Sequence, residues 1–199
     1  MTDLERCIND PAYLPVDPLI KMAVIHHQFE RIHPFYDGNG RTGRIVNVLY
    51  LVKEGLLDLP ILSMSRQILR TRADYYRLLR DSRASGNWEE WILYMLDAVE
   101  ETAIGAVKTI TAIREAMQSR KEHIRHRHKF YSQDLLNSIF QHPYTKIEFM
   151  QDELKVSRPT ATKYLEELTA SGVLAKEKRG RSNYYINTAL WAILIAERE

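Results

Sequence analysis

The chain has 199 residues, enough for one or two domains, and its 45% apolar and 27% charged side chains exclude a disordered or low-complexity chain. Only eight glycines and seven prolines argue against a turn-rich all-β sandwich, and Cys7, the single cysteine, excludes an internal disulfide. The formal charge of +2 divides unevenly: residues 1–118 carry 14 basic and 16 acidic side chains and residues 119–199 carry 14 and 10, so the back of the chain is the part suited to an anion or nucleic acid.

Taken in order, the chain reads as mainly α. Asp17-Pro18 is an N-cap followed by Pro at the first helical position, and the apolar spacing of Leu19, Met22, Ala23, Ile25 and Phe29 predicts a helix to about Arg31. His33-Pro34 ends it, because the residue before proline is pushed out of the α region. After a glycine-bearing loop, a second helix is expected from near Arg41 to Gly55, with Ile45, Val48, Leu49 and Val52 on one face. Residues 56–63 read as a connection. Helices follow at about 65–84 and then, as one or two long helices, over Trp88–Lys129, whose only glycine is Gly105.

The end of that stretch, Arg120–Lys129, reads as a solvated helical linker. His123, His126 and His128 make a poor metal site there, because the surrounding Arg and Lys charges repel a cation. From Tyr131 the units shorten. Helices are predicted near 132–141, 146–154 and 157–170, with Gly172 just past the last. Alternating Val173–Glu177, a basic turn over Lys178–Asn183 and Tyr184–Ile186 then form a hairpin. Three helices and a basic-tipped hairpin are the layout of a winged helix. The expected organisation is a helical core over 1–118, a linker over 119–131 and a small α+β winged-helix domain over 132–199.

The words that carry chemistry are HPFYDGNGRTGR, residues 33–44. Gly38-Asn39-Gly40 lies just before a helix, where several backbone N–H groups can point at one anion, aided by the positive helix end. Arg41 and Arg44 stand three apart on the first turn and can face the same anion. Asp37 is placed to hold Mg²⁺, which binds through one or two carboxylates plus phosphate oxygens. His33 is the group of this segment whose ordinary pKa suits proton transfer near neutral pH. Singly these are weak signals. Within twelve residues they make the parts of a phosphoryl- or nucleotidyl-transfer site.

The segment resembles the Fic signature H-x-F-x-(D/E)-G-N-G-R-x-x-R, matched at His33, Phe35, Asp37, Gly38, Asn39, Gly40, Arg41 and Arg44. The preceding His26, Phe29 and Glu30, the pair Tyr75-Tyr76, and Gly86-Asn87-Trp88 with Trp91 extend the resemblance over about residues 1–105. It implies a Fic-type helical bundle that transfers AMP from ATP to a Ser, Thr or Tyr hydroxyl of a protein, this chain itself included. By position, His33 is the base, Asp37 the Mg²⁺ ligand, and Gly38, Asn39 and Gly40 the anion hole. Arg41 and Arg44 hold the distal phosphates, Phe35 anchors the loop in the core, and Tyr75 and Tyr76 line the adenosine pocket. The signature fixes the diphosphate chemistry better than the group moved, so UMP or another phosphate-linked group stands as an alternative.

Residues 146–186 resemble the winged helix behind some bacterial Fic domains. That implies DNA contact through Arg158, Thr160 and Lys163 on the third helix and Arg179 and Arg181 on the wing. Winged helices also serve as dimerisation and docking modules, which leaves a homodimer or a nucleotide-sensing, non-enzymatic role as the alternative. The family's inhibitory string (S/T)-x-x-x-E-(G/N) is not found, and only 16 residues precede Asp17, so the inhibitory helix and the target-binding flap are both expected to be missing, with a loss of activity. No apolar run reaches the roughly 18 residues of a membrane span and no signal peptide is evident, so a cytoplasmic protein without a membrane partner is expected.

Overall fold

The computed structural model describes residues 1–196; the last three residues of the 132–199 range lie outside them. Its contacts divide the chain into two units, Met1–Ala106 and Val107–Glu199. In the first unit α1 (Thr2–Asn9) leads to α2 (Pro18–Ile32). Asp17 caps α2, its Oδ1 accepting from the Leu19 N–H at 2.8 Å, and Pro18 stands at its start, as the sequence predicts. Next come α3 (Asn39–Lys53), α4 (Ser65–Arg70) and α5 (Arg72–Ser85). The long α6 (Glu89–Arg127) is one continuous helix and contributes residues to each unit.

The first core gathers Met22, Ile25 and Phe29 of α2, Leu51 of α3, Tyr75 and Leu79 of α5, and Trp91 and Met95 of α6. Trp91 is fully buried and donates its Nε1–H to the Ala23 carbonyl at 2.9 Å, tying α6 to α2. Cys7 on α1 packs into the same core at 6% exposure, and burial pushes its thiol pKa up. Among the described residues no helix is long and apolar enough to cross a membrane.

The second unit combines short helices with a small three-stranded sheet. Its elements are α7 (Gln133–Gln141), β1 (Tyr144–Thr145), α8 (Ile147–Leu154), α9 (Arg158–Ala170), β2 (Leu174–Arg179), β3 (Ser182–Asn187) and α10 (Thr188–Ala196). The antiparallel sheet has the order β1-β3-β2, with Leu174 opposite Asn187 and Arg179 opposite Ser182. The tight hairpin turn needs a positive φ, which Gly180 supplies at 62°. Leu135, Ile139, Met150, Leu165 and Tyr185 form the core, together with Ile124 of α6, which lies inside the stretch read as a linker. Asn187 joins sheet to helices: its Nδ2 donates to the Ile139 carbonyl and its Oδ1 accepts from the Leu190 N–H.

Candidate active site

Two short-range devices place the chemistry at one end of the first unit. Helix α2 closes on His33, which takes the left-handed conformation (φ 50°, ψ 58°) and donates its backbone N–H to the Phe29 carbonyl at 3.0 Å. Histidine enters this region more readily than most residues, and Pro34 forbids another helical turn. Helix α3 opens on Gly38 at φ 83°, a conformation that favours glycine. No side chain caps α3, so the N–H groups of its first turn are left to a ligand. The Gly38 N–H itself is taken by Asp37 Oδ1 at 2.7 Å.

Asn39 holds this loop. It is buried, its Oδ1 accepts from the Phe35 N–H at 2.9 Å, and its Nδ2 donates back to the Phe35 carbonyl. The anchor is therefore the Asn39 side chain gripping the Phe35 backbone. The Phe35 ring, expected in the core, is 50% exposed and only brushes Phe29. What Asn39 offers an anion is its backbone N–H.

A pocket of about 410 Å³ brings His33, Asp37, Gly38, Asn39, Gly40, Arg41 and Arg44 together with Tyr75 and Tyr76, so all the residues assigned to nucleotide chemistry line one space. Arg44 is held by its Nε–H, which donates to Ser65 Oγ at 2.9 Å. Arg41 reaches out to solvent and lies 3.5 Å from the exposed Asp37 carboxylate, a weak pair that a phosphate can replace. Tyr76 is exposed, with Arg72 against its ring, whereas Tyr75 is buried and its hydroxyl bonds His26 Nε2 at 2.9 Å. Burial raises the Tyr75 phenol far above its ordinary range. Glu30, Ile68, Leu69 and Arg72 also line the pocket. The sequence reading did not assign them, although Glu30 lies three residues before His33 and Arg72 four before Tyr76, spacings that share a helix face.

Two buried histidines back this wall. Burial pushes His26 down to about 4, with the Arg44 charge adding to it, and burial with Arg83 and Arg31 does the same for His27. Both are neutral in the folded chain at pH 7. Unfolding returns them to about 6.5, so as pH falls below that value the unfolded chain takes up the protons first. Stability is full above about pH 6.5 and is lost as pH drops toward 4, by about 2 kcal/mol for His26 alone at pH 5. The urea midpoint is expected to fall between pH 7 and pH 5; equal midpoints would contradict this burial.

In the second unit four of the five residues assigned to DNA are engaged with their own chain. Arg158 bonds Glu148 at 3.1 Å, Lys163 lies 3.9 Å from Glu167, and Arg179 bonds Glu177 at 2.9 Å. Thr160 shares a 2.9 Å hydroxyl bond with Ser157 at the start of α9, and Arg181 is exposed beside Gly180. A nucleic-acid phosphate would have to draw Arg158, Lys163 and Arg179 away from carboxylates.

Residues 1–51 match the model of the Fic/DOC family, and residues 116–190 match a model described as the C-terminal domain of SoFic-like protein adenylyltransferases. The first 51 residues carry a Fic/DOC family domain. Among curated relatives, protein adenylyltransferase fic-1 of Caenorhabditis elegans is 32% identical over 114 residues, 55% of this chain and 21% of that protein. Protein adenylyltransferase Fic of Drosophila melanogaster is 29% identical over 102 residues, 51% of this chain and 19% of that protein. The chain thus spans about a fifth of the length of the curated relatives it matches. Among solved structures, a Fic family protein from Desulfovibrio desulfuricans G20 aligns with a TM-score of 0.49 at 24% identity, over 94% of this chain and 53% of that one.

Proposed function

We propose that the pocket of the first unit transfers AMP from ATP to a protein hydroxyl. The observation that carries this reading is the convergence of an uncapped, glycine-started helix, the arginines 41 and 44 and His33 on one pocket. The naming of the relatives as protein adenylyltransferases supports it. ATP lies with its polyphosphate on the N–H groups of Asn39, Gly40 and Arg41 and its adenosine toward Tyr75 and Tyr76. His33 removes the proton of an incoming Ser, Thr or Tyr hydroxyl, whose oxygen attacks the α-phosphorus. The bond from that phosphorus to the bridging oxygen breaks, and pyrophosphate leaves with its charge held by Arg41 and Arg44.

Asp37 fits a Mg²⁺ site of the single-carboxylate kind: its carboxylate is exposed within the pocket, and its partners are one backbone N–H and one weak arginine contact. When bound there with phosphate oxygens, the ion would neutralise part of the polyphosphate charge. In this reading 1–118 is the catalytic part and 132–199 a module that addresses the enzyme to its partner.

The test is incubation with ATP labelled at the α-phosphate, with and without a cell extract supplying targets, and with α-labelled UTP as a second arm. Protein-bound label from ATP is expected. Label from UTP alone would reassign the group transferred, and ATP binding without label in any arm would sink the enzymatic reading.

A further inference from the structure

Helices α2 and α3 meet along a seam opened by two glycines. A Cβ added at Gly43 would lie 3.1 Å from the His26 ring and 3.2 Å from Glu30 Oε1. A Cβ at Gly40 would lie 3.2 Å from Arg44 Nη1 and 3.7 Å from that same Glu30 oxygen. The Glu30 carboxyl therefore crosses from α2 into a slot that any side chain at position 43 would fill. Inside the slot it shares the space above Gly40 with the Arg44 guanidinium. Its Oε1 is buried and has no hydrogen-bond partner. A buried carboxylate oxygen without a hydrogen bond is costly unless a facing charge compensates it. The arginines that act on it are Arg44, which lines the same pocket, and Arg83 on α5. Burial pushes the Glu30 carboxyl up, and the two arginine charges pull against that rise.

We propose that Glu30 is a positioning residue for Arg44: seated in the Gly40–Gly43 slot, its carboxylate holds the guanidinium on the pocket side while Ser65 holds Nε. The proposal rests on the AMP-transfer reading for its role and on the slot geometry for its substance. It also gives Gly43, a position the signature leaves free, a reason to be glycine. Arg44 is then held by a hydrogen bond at Nε and by the field of a nearby carboxylate, and needs no reorientation when charge develops on the leaving phosphates.

The decisive variant is Glu30→Gln, which keeps the slot filled and removes the charge. Removing a buried, unbonded charge does not weaken folding, so its melting temperature is expected to equal or exceed that of the parent. A fall in melting temperature that tracks the loss of activity would make the role structural and overturn the proposal. The rate of AMP transfer is expected to drop about tenfold in Glu30→Gln, and by less than about twofold when the change is added to Arg44→Gln. Equal losses in the two backgrounds would show that Glu30 does not act through Arg44. Exchange of the Arg44 Nε–H with water, followed by ¹⁵N NMR without ligand, is expected to speed up about fivefold or more in Glu30→Gln. An unchanged Nε–H would overturn the proposal whether or not the protein transfers AMP. If the parent protein transfers nothing while Nε–H exchange accelerates, the transfer reading fails and the positioning stands.

Discussion

Alanine at His33 is expected to lower AMP transfer by about 10²- to 10⁴-fold, the usual worth of a positioned general base, with ATP still bound. The two effects separate because of where His33 stands. It closes α2, whereas the proposed phosphate cradle is built from the start of α3 and held by Asn39 on the Phe35 backbone. Alanine also enters the left-handed conformation less readily than histidine. His33→Asn removes that ambiguity, since asparagine enters the left-handed region more readily and supplies no base near neutral pH. Both variants should bind ATP with near-parental affinity in calorimetry and give little protein-bound label. Labelling at the parental rate by either one would remove His33 from the role of base.

The largest effect on folding is expected at Trp91. The ring is fully buried, its Nε1–H is bonded to Ala23, and it packs against His26, His27 and Tyr75 at centroid distances of 6.1, 5.5 and 5.6 Å. Replacement by alanine opens a large cavity and costs about 3–5 kcal/mol, a large part of the 5–15 kcal/mol that typically holds a domain. The melting transition of the first unit is expected to fall by more than about 10 °C, read by circular dichroism. ATP binding should weaken in step, because Trp91 backs the histidine that holds Tyr75 in the pocket wall. A shift under about 3 °C would mean that the indole is not a keystone of this core.

Local chemistry made much of this architecture legible. Asp17-Pro18 announced α2 and His33-Pro34 its end, because capping and proline sterics act within a few residues. The start of α3 came two residues earlier than expected, since Gly38 itself takes the capping position. Elements that depend on distant partners were not legible. The break between α4 and α5 falls at Thr71, with no glycine or proline to mark it; its hydroxyl bonds the Gln67 carbonyl and Tyr94 of α6. Strand β1 is two residues long and exists through pairing with β3, forty residues on. Helix α10 is apolar along its length and shows no amphipathic stripe to announce it.

The site divides in the same way. The signature located His33, Asp37, Arg41 and Arg44 in one pocket because they follow one another along the chain. It misplaced the Phe35 ring, since which group anchors a loop is decided by packing, and here Asn39 fills the interior. It passed over Glu30, whose role depends on glycines 10 and 13 residues away on another helix. It also gave Tyr75 and Tyr76 a common duty, although one is buried against His26 and the other faces solvent.

Cys7 sits on α1 within the first core. It is the chain's one thiol, it is buried against α2, and burial holds it in its protonated, unreactive form. A thiol reagent is therefore expected to modify the folded protein slowly, at a rate set by how often local opening frees the thiol. The modification rate then clocks a single local opening, free of signals from any other sulfhydryl. The sequence thus carries a native reporter that can be read beside nucleotide binding without adding a label.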